Sequence, residues 1–297
     1  GESCQMKRVL ITGKTSYIGI NLKSWLEEHP EKYQVDAISV RGDLWKEESF
    51  SEYDVIVHVA GIAHIKETKS NRDLYYRVNR DLVYEVALKA KQDGAKQFIF
   101  LSSMSVFGIK TGIITDATVP QPKNHYGKSK LEAEKLIMEL VDENFKVAIV
   151  RPPMVYGSGC KGNYSKLAQL AKRTPVFPTT NNQRSVIYID NLSESIRRII
   201  DEFESGVFHP QNSHYVSTQQ LVEQIAMAHG KKVFFTGVFN WLIRIGMYFS
   251  GFLKKIFGTL VYNANMSITL DVVSFEQSIL NSERKIEGSS LLKGGQQ

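Results

Sequence analysis

Through the first two hundred residues, short apolar runs alternate with stretches in which apolar residues recur every three or four positions. Val9-Leu10-Ile11-Thr12 is the first run, and it ends in Gly13. Ile18, Leu22, Trp25 and Leu26 then share one face of a helix predicted from Ile18 to about Glu28. Further strands are predicted over 35–40, 54–60, 97–102 and 146–150, and helices over 76–91 and 126–140. Strands covered by helices on both faces carry continuous Val, Ile and Phe rather than an apolar/polar alternation. The pattern therefore predicts an α/β fold built on a doubly wound parallel sheet.

After Arg151-Pro152-Pro153 the pattern loosens. Val186 to Ile189 reads as one more strand of the same sheet, with Leu192 to Phe203 as its helix. Segments 153–182 and 206–297 are richer in Asn, Gly, Pro and aromatics and are expected to form a smaller C-terminal substrate lobe. The larger domain then comprises 6–152 and 183–205, with Gly1 to Gln5 set aside.

Composition narrows the class. The 297 residues supply ample core material, and 42% hydrophobic with 23% charged residues is ordinary for a soluble globular protein. Two cysteines, Cys4 and Cys160, make no disulfide framework, and no Cys/His pair has zinc-ligand spacing, so no metal is expected. No apolar run precedes Val9, and a cytoplasmic location is expected. The formal charge of +6 is spread in pairs such as Lys172-Arg173 and Lys254-Lys255 rather than in a basic stripe. That distribution favours a phosphate-bearing small molecule over nucleic acid as the anionic partner.

Three segments carry candidate chemistry. Thr12 to Gly19 (T-G-K-T-S-Y-I-G) is a strand-to-helix turn that can bring backbone N–H groups and a helix N-terminus against a pyrophosphate. Gly13 and Gly19 hold the outer positions of the glycine spacing, and Ser16 stands at the middle one. Taken alone, an ordinary glycine turn would look the same. Tyr126-Gly127-Lys128-Ser129-Lys130 places Tyr126 and Lys130 four apart on one helical face, where the ammonium can lower the phenol toward neutral pH. Helix surfaces also produce that spacing by chance. Leu101 to Gly108 (L-S-S-M-S-V-F-G) lies at the carboxyl edge of a strand, where a hydroxyl of Ser103 or Ser105 can bond a substrate oxygen, or where a serine-rich loop simply turns.

The order and spacing of these segments, with H-V-A-G at 58–61, R-P-P-M-V-Y-G at 151–157 and R-S-V-I-Y-I-D-N-L at 184–192, resemble the extended short-chain dehydrogenase/reductase family. The likeness is to its nucleotide-sugar epimerase/dehydratase branch and covers nearly the whole chain. It implies a Rossmann-type sheet with Gly13, Ser16, Tyr17, Ile18 and Gly19 framing the cofactor pyrophosphate. Ala60 and Gly61 would flank the adenosine side, and Asp43 and Leu44 would contact adenine unless the short loop before Asp54 displaces them. Ser103, Tyr126 and Lys130 would be the catalytic residues, Lys130 also holding the nicotinamide ribose. Asn163 and Arg184 would hold the nucleoside diphosphate, although Arg184 could instead form a domain-bridging salt link. The family further suggests a homodimer through the helices of 76–91 and 126–140.

Departures from the family pattern sharpen the expectation. Dehydratases of the branch carry Asp-Glu after the serine position, and Met104-Ser105 stands there, so dehydration is not expected. Strand two ends in Ser39-Val40-Arg41 without the acid that an NAD-binding member would place there. Arg41 suits a 2′-phosphate, which favours NADP(H) over NAD(H), or it is a solvated surface charge. With the compressed strand-two region, N-N-Q-R-S at 181–185 and C-K-G-N-Y at 160–164, the chain further resembles bacterial reductases of UDP-2-acetamido-2,6-dideoxy-4-hexuloses. That likeness implies 4-keto reduction of such a sugar, with UDP-hexose 4-epimerase as the alternative and a non-catalytic nucleotide-binding regulator as a distant one. Finally, 239–257 is an aromatic, cationic, amphipathic segment that could lie on an anionic membrane. Packing of its apolar face within the smaller lobe is the favoured expectation.

Overall fold

The computed structural model describes residues 5–63 and 65–284. Cys4 and the end of the 206–297 segment lie outside them. Six strands, Lys7–Thr12 (β1), Tyr33–Ile38 (β2), Val55–His58 (β3), Gln97–Leu101 (β4), Lys146–Val150 (β5) and Gly206–Phe208 (β6), form one parallel sheet. Their spatial order is β2-β1-β3-β4-β5-β6. The chain leaves β1 toward one edge and then returns to build the other side, so the winding reverses between β1 and β3. An open α/β sheet binds its ligands in the crevice at such a reversal.

Successive residues of β1, β3, β4 and β5 enter opposite cores, which is why their apolar runs are unbroken. Val9, Ile11, Val55, Val57 and Ile99 pack on one face, while Leu10, Ile56, Phe98 and Phe100 pack on the other. The helices are Tyr17–Glu27 (α1), Arg72–Tyr76 (α2), Leu82–Gln92 (α3), His125–Met138 (α4), Asn163–Arg173 (α5), Ile189–Asp201 (α6), Thr218–Ala228 (α7), Asn240–Phe249 (α8), Gly251–Phe257 (α9) and Phe275–Glu283 (α10). Leu22 and Leu26 of α1 join Leu192 and Ile196 of α6 on the first face. Val83 and Val86 of α3 join Ala133 and Ile137 of α4 on the second. The helix expected over 76–91 is continued backward by α2, through a π turn at Arg77–Asp81 that buries Asn79.

Two expectations are corrected. Val186–Tyr188 does not join the main sheet; it pairs with Met154–Tyr156 in a separate two-stranded sheet. The sixth strand is instead Gly206–Phe208, from a segment assigned to the smaller lobe. An edge strand of three residues with Val207 exposed carries no apolar run to announce it, whereas Val186–Tyr188 is fully buried within the first core and reads like a sheet strand. The second correction concerns 239–257. It forms α8 and α9, neither of which has a buried residue. Ile243, Met247, Ile256 and Phe257 are half-buried, but Trp241, Leu242, Ile245, Tyr248, Phe249 and Phe252 face solvent. No helix among the described residues is long and apolar enough to cross a membrane.

Candidate active site

The turn after β1 brings two strand ends and a helix start to one point. Gly13 adopts φ +118°, and a Cβ there would lie 2.7 Å from the Ala60 nitrogen, so only glycine allows this approach. The N–H groups of Gly13 and Lys14 both donate to the Ile38 carbonyl, at 2.9 and 3.1 Å, which ties the turn to the end of β2. A Cβ on Gly19 would meet Gly13 O and Val59 Cγ2, each at 2.9 Å, and so α1 can press onto β3 only through a glycine. Ser16 is the N-cap of α1; its Oγ accepts from Gly19 N–H at 3.5 Å. Its serine is thus a capping residue, and the N–H groups of Tyr17 and Ile18 open the helix at the crevice. The Tyr17 phenol turns elsewhere. A Cβ on Gly157 would lie 2.5 Å from its buried hydroxyl, which has no protein partner among the described residues.

Beyond β2, Arg41 is exposed and in no ion pair among the described residues. Asp43 is engaged by Lys46 Nζ at 2.9 Å, and Leu44 stands in solvent at the start of a short 3-10 turn. Ala60 lies against Gly13, while Gly61 faces the other way: a Cβ on it would lie 3.2 Å from both Lys130 Nζ and Asn79 Oδ1.

The second half of the site is built where β4 meets α4. Ser103 follows β4 in extended conformation and caps the 3-10 turn Met104–Phe107, its Oγ accepting from Ser105 N–H at 3.1 Å. The head of α4 is capped twice. Asn124 Oδ1 accepts from Gly127 N–H at 2.8 Å, and the Glu67 carboxylate accepts from the N–H groups of His125 and Tyr126 at 3.1 and 2.9 Å. A Cβ on Gly127 would come within 2.6 Å of Ser105 O, so the glycine lets the helix head rest on the serine turn. That contact brings the Tyr126 phenol near the Ser103 side chain. Burial raises the phenol above its ordinary value, and the nearby Ser103 side chain opposes the rise.

Lys130 is buried one turn further on, its Nζ donating to Leu101 O at 2.8 Å and lying 4.8 Å from the Phe100 ring centroid. Burial pulls its ammonium down to about 8, against the opposing pull of Glu134. The expected lowering of Tyr126 by Lys130 is not found, because the ammonium is turned to the Leu101 carbonyl and desolvation dominates the phenol.

Of the remaining expected residues, Ser105 lies half-buried in the 3-10 turn, and Asn163 opens α5 in solvent. Arg184 is half-buried, with Nη1 at 3.5 Å from Gly258 O, and burial pulls its guanidinium down. Among the described residues it forms no ion pair, so the domain-bridging salt link is not what holds it.

Several residues around the site were not singled out from the sequence. Glu134, on the same face as Tyr126 and Lys130, accepts from Ser102 Oγ at 2.7 Å and is gripped by Arg151, with Nη2 at 2.6 Å and Nε at 2.9 Å from Oε1. This buried pair binds α4 to the ends of β4 and β5. Asn79 accepts from Ile62 N–H at 2.8 Å and so fixes the chain just after Gly61. His58 shares a 2.7 Å hydrogen bond with Thr12 Oγ1; burial first, and the Lys130 charge second, hold it down to about 3. The signal available for Glu134 and Asn79 was a polar residue on the core-facing stripe of a helix. Glu67 gave none, since it lies in an irregular loop.

The sequence profile of the NAD dependent epimerase/dehydratase family matches residues 9–216. A UDP-glucose 4-epimerase of Vibrio cholerae is 31% identical over 288 residues, spanning 87% of this chain and 84% of that one. An N-acetyl-alpha-D-glucosaminyl-diphospho-ditrans,octacis-undecaprenol 4-epimerase of Escherichia coli O157:H7 is 26% identical over 246 residues, 76% of this chain and 73% of that one. Among solved structures, a dTDP-4-dehydrorhamnose reductase from Clostridium acetobutylicum matches the fold with a TM-score of 0.70 at 21% identity, covering 93% of this chain and 98% of the other. With the glycine turn at the sheet reversal and the profile match over most of its length, the chain belongs to the NAD dependent epimerase/dehydratase family.

Proposed function

We propose that the chain is a nucleotide-sugar 4-ketoreductase that uses NADPH. The observation that carries this reading is Arg41. It stands exposed beyond β2 with no ion-pair partner among the described residues, and the stretch Ser39-Val40-Arg41 offers no carboxylate to a ribose diol. A free guanidinium there suits a 2′-phosphate, and a cofactor that is exchanged each turnover suits a reductase.

The crevice fits a dinucleotide. Gly13 and Gly19 admit no side chain, and the first N–H groups of α1 face the place a pyrophosphate would take. Gly13, Ser16, Tyr17, Ile18 and Gly19 would hold it, with Ala60 and Gly61 along the β3 side and Lys130 at the ribose. The bound cofactor supplies the hydride for carbon four of the sugar. Tyr126 donates its phenolic proton to the C4 oxygen, and Ser103, whose side chain lies near the phenol, holds that oxygen in place. Arg184 gives charge-assisted bonds to the diphosphate, with Asn163 at the head of α5.

Stoichiometric loss of NADPH absorbance with UDP-2-acetamido-2,6-dideoxy-xylo-4-hexulose is the expected result. A second reading, UDP-hexose 4-epimerase, draws on the Vibrio cholerae relative. It replaces the first if UDP-GlcNAc and UDP-GalNAc interconvert without added cofactor while the keto sugar leaves NADPH untouched.

A further inference from the structure

α8 is apolar around most of its circumference. Ile243 and Met247 lean on the protein, while Trp241, Ile245, Tyr248 and Phe249 recur on the outward face at helical spacing and Phe252 of α9 extends the row. Tyr248 is 86% and Phe249 88% exposed. A helix that is apolar all round is normally covered on every side. Gly246 lets α9 fold back closely, since a Cβ on it would lie 2.6 Å from Leu253 Cδ1, so the two helices form one low ridge.

The charges around this ridge say what covers it. From Gln224 to Leu270 the chain has no Asp or Glu, while Lys231, Lys232, Arg244, Lys254 and Lys255 lie in the same stretch. Arg244, Lys254 and Lys255 form no ion pair among the described residues. A surface meant for a second copy of this chain would bring these cations against each other across a two-fold axis. Tryptophan, tyrosine and phenylalanine beside unpaired cations match the boundary of an anionic bilayer, where rings enter the headgroup region and cations meet phosphate. Neither helix is long enough to span one.

We infer that α8 and α9 dock the protein on an anionic membrane surface, with Trp241, Tyr248, Phe249 and Phe252 inserted and Arg244, Lys254 and Lys255 on lipid headgroups. α9 ends at Phe257, next to Gly258, whose carbonyl lies 3.5 Å from Arg184 Nη1. Docking therefore holds the Arg184 end of the site close to the bilayer.

The test uses the full chain and vesicles of equimolar phosphatidylcholine and phosphatidylglycerol. The protein should sediment with them, less so as salt rises, and remain in the supernatant with phosphatidylcholine alone. Trp241 fluorescence should shift to the blue on binding. Combined Trp241→Ser, Phe249→Ser and Phe252→Ser should weaken vesicle binding at least about tenfold, while circular dichroism and turnover of a soluble nucleotide sugar stay unchanged. Absence of sedimentation by the wild-type protein overturns the inference. So does a wild-type dimer that the triple variant breaks into monomers without any vesicle binding. Because turnover of a soluble substrate is read separately, failure here leaves the proposed reaction standing, and the reverse.

Discussion

The Glu67 carboxylate accepts the backbone N–H of Tyr126 at 2.9 Å, and through its other oxygen that of His125 at 3.1 Å. The loop after β3 thereby caps the helix that carries the tyrosine. Both donors belong to the first turn, which has no intrahelical partner for them, and a negative charge at that end is favoured by the helix dipole. Glu67→Ala should cost about 1 kcal/mol of stability, a few degrees in Tm. It should also lower kcat by more than KM changes, because the helix head sets where the phenol sits. Glu67→Gln, which keeps one acceptor oxygen, should recover part of both losses. A Glu67→Ala protein with wild-type kcat would remove Glu67 from any positioning role.

Tyr126→Phe should reduce turnover by about 10²–10⁴-fold, the usual range for a positioned acid or base, with cofactor affinity nearly unchanged. Ser103 lies beside the phenol and would hold the same substrate oxygen, so Ser103→Ala should produce a loss in the same direction but smaller. Steady-state rates together with cofactor titration separate the two effects. A Tyr126→Phe rate above about a tenth of wild type lies outside that range and would falsify the assignment.

Lys130 makes a pH prediction whose sign follows from burial. Its folded value is about 8 against an ordinary 10.5, so below pH 8 the folded chain must keep a buried ammonium. The unfolded chain binds the proton more readily between these values, and stability therefore rises with pH across that window. The shift corresponds to about 3 kcal/mol of penalty at neutral pH. Lys130→Met should melt no lower than wild type at pH 7, and its advantage should shrink as pH rises from 8 toward 10.5. Melting curves of cofactor-free protein decide it. A Met variant much less stable than wild type at pH 7 would show that the bond to Leu101 outweighs the desolvation.

Arg41→Ala should weaken NADPH by about tenfold or more and leave NADH nearly as before, since it deletes one charge-assisted partner of a 2′-phosphate. Binding of both cofactors to both proteins is the measurement. Equal weakening of the two, or none, returns Arg41 to the solvated surface.

Local patterning was enough to locate the sheet through β5 and its covering helices, because strands buried on both faces leave long apolar runs and each helix repeats its core contacts every turn. The glycine turn, the serine strand end and Tyr126 with Lys130 were legible for a related reason: each needs particular residue types at fixed spacing. Gly13 and Gly127 show why, as any side chain there would strike Ala60 or Ser105. What the tertiary structure alone decided are relations between segments distant in sequence. Gly206–Phe208, too short and too exposed to announce itself, became the sixth strand by pairing with β5. Val186–Tyr188, equally apolar as a sheet strand, was drawn to Met154–Tyr156. The direction of the Lys130 ammonium depended on a carbonyl some thirty residues away, and Glu67 reached α4 from an irregular loop. Whether the 239–257 stretch faces the protein or the solvent rested on how much partner surface the rest of the chain could offer it. Hydrophobic periodicity tells that a face is apolar, and only the packed chain tells whether anything is left to cover it.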